Sequence, residues 1–255
     1  MIDITFTPVP FAEIANALRR DLAGLPSPID SFLEEHILTS RHYRIEIDGA
    51  AAGRCAIHGE SLITQFALEV AQRRHGQAAF QRARRLESVQ AAFVPTCDEL
   101  FLSHAIDECR QIDRQAYFFQ ALPDAPAPAK DIRVRQAAQQ DLPAIHAGSG
   151  SFFDTLEASL AQGELYIAER AGEAVGFGII DRSTLYADVA SIGMYTVERA
   201  RRTGVGTATI RALVAECRRA GLRPIAGCWY YNHRSKHTLE AAGMVSASRL
   251  LRVSY

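Results

Sequence analysis

Lysine is almost absent from this chain. Lys130 and Lys236 are the only two among 255 residues, so arginine carries nearly all the positive charge, and the formal net charge is −1. A balance so close to neutral argues against a bulk nucleic-acid binder. No apolar run approaches the length of a membrane span, so no membrane association is expected. The opening Met-Ile-Asp-Ile-Thr-Phe-Thr has no basic region ahead of an apolar core, so no signal peptide is expected. The cysteines (Cys55, Cys97, Cys109, Cys217 and Cys228) are odd in number and form no Cys-x-x-Cys, which speaks against a disulfide framework or a zinc ribbon. Buried free thiols in a reducing compartment fit better, and the cytoplasm is the expected location. What is present is ordinary for a soluble enzyme: 48% hydrophobic and 22% charged residues, at a length that suits two domains.

Taken in order, residues 2–9 alternate like a strand, and residues 11–25 show helical spacing through Phe11, Ile14, Leu18 and Leu22. A short helix is predicted at 31–38. Strands at 43–47 and 53–57 flank Asp48-Gly49, a hairpin signal. A strand at 61–70 is followed by a basic helix over 71–85, then a strand at 88–94, a helix at 98–109 and a strand at 116–119. The segment 122–130, Leu-Pro-Asp-Ala-Pro-Ala-Pro-Ala-Lys, reads as a stiff connector between a domain at 1–121 and another at 131–255.

The second half opens with a strand at 132–135 and a helix capped by Asp141. A helical face at 152–160, strands at 165–169 and 174–180 around Ala171-Gly172, and a longer strand at 187–197 follow. A helix at 205–220 is stopped by Gly221, a strand covers 224–229, a helix at 234–242 is stopped by Gly243, and a strand at 246–253 closes the chain. The resulting order, β-α-α-β-β-β-α-β-α-β, describes a mixed-sheet α/β fold. The first half follows a similar order, which suggests duplication.

The most informative stretch is residues 201–207, Arg-Arg-Thr-Gly-Val-Gly-Thr, between a strand and an amphipathic helix. Glycines there let a ligand approach the main chain. The unpaired N–H groups that open the helix, its dipole and two arginines favour phosphate. A dinucleotide fingerprint is not met: Thr209 stands where the third glycine or alanine belongs, and residues 222–231 contain no acid. A triphosphate P-loop needs a lysine that is missing. A coenzyme A pyrophosphate loop fits. The spacing Arg-x-x-Gly-x-small recurs at residues 73–78, Arg-Arg-His-Gly-Gln-Ala, where a solvated basic helix face is the favoured reading over a second phosphate site.

With Arg201, Gly204 and Gly206 after a strand and before a helix, and Asn232 and Ser235 opening the helix that ends in Ala242-Gly243-Met244, residues 131–255 resemble the GNAT (GCN5-related) N-acetyltransferases. The first half looks like a degenerate copy, giving two tandem GNAT-like domains. The resemblance implies acetyl-CoA as cosubstrate, bound where two neighbouring strands splay apart. Residues Met194, Tyr195, Thr196 and Val197 would pair with the pantetheine arm. Main-chain groups of Arg202, Thr203, Gly204, Val205, Gly206 and Thr207, beside Arg201, would hold the pyrophosphate, and Asn232 and Ser235 would steady the pantetheine.

Direct acetyl transfer to a primary amine also needs an oxyanion donor, expected from the main chain near Thr196 or Val197, and an acid for the thiolate. Many relatives carry a tyrosine where this chain has Leu239. Tyr231, Tyr195 and Ser235 stand nearby in sequence, each with a structural or cofactor-binding role as its alternative; Tyr231 and Ser235 are the catalytic candidates. A non-catalytic acyl-CoA-binding module is the rival reading.

Other residues take blander roles. Glu157 and Asp188 read as surface residues before acceptor ligands. His233 and His237 lack a third ligand, so no metal is expected. Trp229 reads as core at a strand end, and Cys228 as a small buried residue. The acceptor amine, on a small molecule or a protein, is left open, as is a homodimer.

Overall fold

Apolar residues at helical spacing bury Ile14, Leu18 and Leu22 along one side of α1 (Phe11–Ala23), and Asp30 starts α2 (Ser31–Leu38) by accepting the Leu33 N–H. The strand β1 (Ile4–Val9) pairs antiparallel with β2 (Arg41–Ile47), which turns back into β3 (Ala50–His58). Asp48 and Gly49 both have positive φ, 49° and 77°, the conformation that suits a two-residue hairpin to the twist of its strands. The chain continues through β4 (Leu62–Leu68), a 3-10 turn (Val70–His75), α3 (Gly76–Ala83), β5 (Ala91–Pro95), α4 (Glu99–Ala105) and β6 (Gln111–Ala121).

The second series repeats that order: β7 (Arg133–Gln136), α5 (Leu142–Ser149), α6 (Leu156–Ala161), β8 (Leu165–Arg170), β9 (Glu173–Arg182), β10 (Val189–Thr196), α7 (Val205–Arg219), β11 (Arg223–Trp229), α8 (His233–Ala241) and β12 (Met244–Ser254). The mixed-sheet α/β class expected from the sequence is present. This computed structural model describes residues 2–86, 88–124, 126–127, 131–150, 152–153 and 155–255. Of the expected connector, residues 125 and 128–130 lie outside the described residues.

The chain forms two units, Met1–Phe118 with Thr184–Tyr186 and Ala247–Tyr255, and Phe119–Ser183 with Ala187–Ser246. In the first unit the strands run β1-β2-β3-β4-β5-β12-β6. Its core gathers Ile45, Ile63, Phe66, Phe80 and Phe101. In the second unit the strands run β11-β10-β9-β8-β7. There Ile145, Leu165, Ile167 and Phe177 pack on one side of the sheet, and Ala168, Val175, Val205 and Ala208 on the other. Burial of these side chains is the main stabilising term in each unit. All five cysteines are free, with Cys55, Cys217 and Cys228 buried. No helix among the described residues is long and apolar enough to cross a membrane.

Two expected elements differ. The basic helix predicted over 71–85 is a 3-10 turn followed by an α-helix that begins only at Gly76. Residues 70–75 bury nothing, and Val70 is 75% exposed, so no packing holds them to α-helical spacing. Asp141 stands at the N-cap position of α5, but its side chain makes no capping bond to that helix. Its carboxylate accepts from the Arg135 guanidinium at 2.7 and 3.0 Å and from the Ala138 N–H at 2.8 Å, which winds residues 139–141 into a 3-10 turn first. Arg135 holds that carboxyl below its ordinary pKa.

Candidate active site

The site grows from the way β10 and β11 part company. They are parallel, but their pairing is confined to Val189–Arg223, Ala190–Pro224 and Ser191–Ile225. Both strands continue beyond it, to Thr196 and Trp229. On its other side β10 stays paired with β9 as far as Thr196 opposite Gly176. The Val197 N–H donates to the Val175 carbonyl at 3.1 Å. Antiparallel pairs alternate, so Val197 and Tyr195 turn their main-chain groups to β9, while Met194 and Thr196 turn theirs to the side where β11 has diverged. Val197 is thereby removed as an oxyanion donor, and Thr196 is left.

A 3-10 turn at Glu198–Ala200 leads from β10 into the basic glycine turn. Arg202 and Gly204 have φ of 63° and 86°, both left-handed. For Gly204 that conformation carries no Cβ penalty; for Arg202 it is strained. Val205 then begins α7, packed on Ala168, Val175 and Ala200. The first N–H groups of that helix have no intrahelical partner and face out of its end. Gly206 answers a different demand: a Cβ there would lie 3.2 Å from the Met194 thioether and 3.1 Å from the Thr238 methyl. Arg201 donates to the Thr196 carbonyl at 3.3 Å, and its guanidinium reaches the Tyr195 hydroxyl at 3.4 Å.

Thr203 is held most firmly. Its hydroxyl donates to the Ala200 carbonyl at 2.8 Å, and Arg170 donates at 3.0 Å to both that hydroxyl and the Thr203 carbonyl. The Thr203 hydroxyl and carbonyl are therefore both engaged inside the protein. The sequence did not single out Arg170. It ends β8, 33 residues before the threonine it binds, and no spacing rule connects the two.

At the end of β11, Asn232 caps α8 by accepting the Ser235 N–H on Oδ1 at 3.1 Å. Its Nδ2 remains the donor able to meet a ligand. Cys228 is buried there, and burial pushes its thiol up to about 11, in keeping with the small buried residue expected. Trp229 departs from expectation. It is 58% exposed rather than core, with its ring against Tyr231 at 5.3 Å, and Tyr231 is 49% exposed. Alternation along β11 explains this, since Cys228 takes the inward position and Trp229 the outward one. Leu239 is 4% exposed and packs inside the unit, so nothing at that position can give a proton.

The Phe152 ring packs at a tilt of 52° against Tyr195 with centroids 5.3 Å apart, which sets the segment after α5 beside the end of β10; residues 151 and 154 of that segment lie outside the described residues. Glu157 is exposed. Asp188 binds Arg223 at 2.7 and 3.2 Å at the closed end of the two strands, away from the divergence. His237 lies 3.5 Å from Glu240, and among the described residues no group of three metal-ligating side chains occurs.

Comparison with known proteins agrees with this architecture. A profile of the acetyltransferase (GNAT) domain matches residues 11–122, and a profile of the acetyltransferase (GNAT) family matches residues 131–244. No curated protein matches significantly. Among solved structures, an acetyltransferase of the GNAT family from Colwellia psychrerythraea is similar at 16% identity and TM-score 0.85, over 99% of each chain. A GCN5-related N-acetyltransferase from Sphaerobacter thermophilus is similar at 14% identity and TM-score 0.67, over 98% of this chain and 95% of that one. A tandem GNAT protein from the clavulanic acid biosynthesis pathway shares 14% identity and TM-score 0.58, over 100% of this chain and 98% of its own. With the two profiles matched in succession across most of its length, the chain belongs to the GNAT acetyltransferase family and is an acyltransferase carrying two such domains.

Proposed function

We propose that residues 131–255 transfer an acetyl group from acetyl-CoA to a primary amine by direct attack, and that residues 1–121 are a degenerate copy joined through 122–130. The observation that carries this reading is the β10–β11 pairing that stops at Ser191–Ile225 beside a left-handed, basic glycine turn. The pantetheine arm adds to β10 through the main chain of Met194 and Thr196, as an extra strand would. Tyr195 and Val197 contribute to that wall through their side chains, since their N–H groups belong to β9. Main-chain N–H groups from Arg202 to Thr207 take the pyrophosphate, with Arg201 and Arg202 supplying charge. Asn232 Nδ2 and the Ser235 hydroxyl hold the pantetheine amides.

In the reaction, the neutral amine nitrogen bonds to the acetyl carbon while the Thr196 N–H stabilises the oxyanion. The carbon–sulfur bond then breaks, the thiolate takes a proton, and the nitrogen gives one up. Tyr231 is the proposed acid: it stands at the end of β11 with its ring half exposed, whereas Leu239 cannot donate. Ser235 is the alternative donor. The acceptor amine belongs to a small molecule or a protein, and the reaction is assigned to the cytoplasm.

Calorimetric titration with acetyl-CoA tests the reading. Binding to the wild-type chain is expected, as is its loss in Gly204→Glu, which puts bulk and negative charge into the turn. Equal binding by both proteins overturns the site, and a thermal shift with NAD in place of acetyl-CoA overturns the cosubstrate. Release of free coenzyme A across a panel of amines tests transfer, and Tyr231→Phe is expected to lower it by about a hundredfold.

A further inference from the structure

We infer that Arg170 is a positioning residue for the pyrophosphate turn, acting through the Thr203–Gly204 peptide; this rests on the acetyl-CoA reading above. Arg170 comes from the end of β8, at the mouth of the hairpin turned by Ala171 and Gly172, outside the glycine motif. Its guanidinium reaches three oxygens: the Thr203 hydroxyl, the Thr203 carbonyl and the Asp131 carboxylate, each at 3.0 Å. The side chain is only 33% exposed, and its Nε is buried without a partner, so the group is lodged against the turn rather than extended into water.

The consequence follows from the geometry of a peptide. A trans peptide is planar, with its C=O and N–H pointing in opposite directions. Holding the Thr203 carbonyl on the Arg170 side therefore sends the Gly204 N–H to the other side. Gly204, at φ 86°, has no Cβ to resist rotation of that peptide, and Arg202 ahead of it is already left-handed. Without the guanidinium, a half-turn would present a carbonyl oxygen to the phosphates instead of an N–H. The Thr203 hydroxyl, placed between Arg170 and the Ala200 carbonyl, locks the same peptide from its side chain.

The test uses the full chain and titrates acetyl-CoA, inorganic pyrophosphate as competitor, and S-acetylpantetheine, which lacks the pyrophosphate. Arg170→Ala is expected to weaken acetyl-CoA by about tenfold or more. It should abolish competition by pyrophosphate and leave S-acetylpantetheine binding unchanged, with the melting temperature within a few degrees of wild type. A merely structural role would weaken both ligands together. Arg170→Lys should recover most of the affinity. Thr203→Ala, which keeps the carbonyl contact, should cost less than Arg170→Ala and add little to it in the double variant. Should Arg170→Ala fail to fold, Arg170→Lys and Thr203→Ala decide the matter by the same comparison. A folded Arg170→Ala that binds acetyl-CoA within twofold of wild type overturns the inference alone, as does parallel weakening of S-acetylpantetheine. A wild-type chain that binds no acetyl-CoA overturns the cosubstrate reading, and the inference with it.

Discussion

Two glycines two positions apart do different work in the turn that leads into α7. Gly204 is needed for its dihedral angle, while Gly206 is needed for space, since its missing Cβ would touch Met194 and Thr238. Gly206→Ala adds one methyl against the flexible Met194 and the stiffer Thr238, whose hydroxyl donates to the Arg234 carbonyl. It also gains helix propensity, so the two effects offset and stability should change by less than about 1 kcal/mol. Gly206→Val adds branched bulk at the same point and should cost about 1–3 kcal/mol. Urea denaturation of both variants checks the contrast, and equal stabilities would contradict it.

Another single-residue effect lies in the first unit. Burial pushes the Asp30 carboxyl up to about 7, against the opposing Leu33 N–H, with Glu34 adding repulsion. Burial likewise raises Asp98, the cap of α4, to about 6. Both groups keep a proton in the fold at pH values where the unfolded chain has released it. Their contribution is therefore most favourable below about pH 4, near the ordinary carboxyl value, and is lost as pH rises through the folded values. Asp30→Asn keeps an acceptor for the cap and removes the titration. Its stability relative to wild type should rise between pH 4 and 7 and stay level above. Urea midpoints at pH 4, 5, 6, 7 and 8 measure this, and a constant difference would refute it. Such shifts could not be read from the sequence, because Asp30 and Asp98 look like any other helix cap until their burial is known.

At the scale of elements, hydrophobic period and turn chemistry located nearly everything, and tertiary contacts set the ends. Residues 205–220 were legible because an apolar face through Ile210, Leu213, Val214 and Cys217 ends at the stop Gly221, and the helix observed is Val205–Arg219. Residues 71–85 were not, because arginine and alanine favour a helix locally while none of residues 70–75 is buried. The divergence of β10 and β11 was legible only through the family resemblance, since both strands read as ordinary extended segments. Its closed end makes a prediction. Asp188 and Arg223 form an ion pair there with both side chains more than half exposed, and such pairs contribute little in water. Asp188→Ala should lower stability by less than about 1 kcal/mol and leave acetyl-CoA affinity unchanged, as thermal melts and titration would report. A loss of affinity would mean that the carboxylate serves the open end after all.

Across the whole molecule the same element order occurs twice, and the two copies differ where a cofactor would bind. In the first unit β4 and β5 also pair only briefly, at Leu62–Ala91 and Ile63–Ala92, so a parting of parallel strands is present there too. The turn after β4 is another matter. By sequence, Arg73 and Gly76 align with Arg201 and Gly204. By contact, Gly76 aligns with Gly206: a Cβ on Gly76 would meet His104, six residues after the α4 cap Asp98, as one on Gly206 would meet Thr238, six residues after the α8 cap Asn232. The residue in the place of Gly204 is then Arg74, and no residue from 70 to 83 has positive φ. A turn without that left-handed residue cannot aim successive N–H groups at a phosphate as residues 202–204 can. The full chain should therefore bind one acetyl-CoA, not two. Calorimetric titration should give a stoichiometry near one per chain, with no binding left in Gly204→Glu, whereas a residual site in that variant would place a working cofactor turn in the first unit.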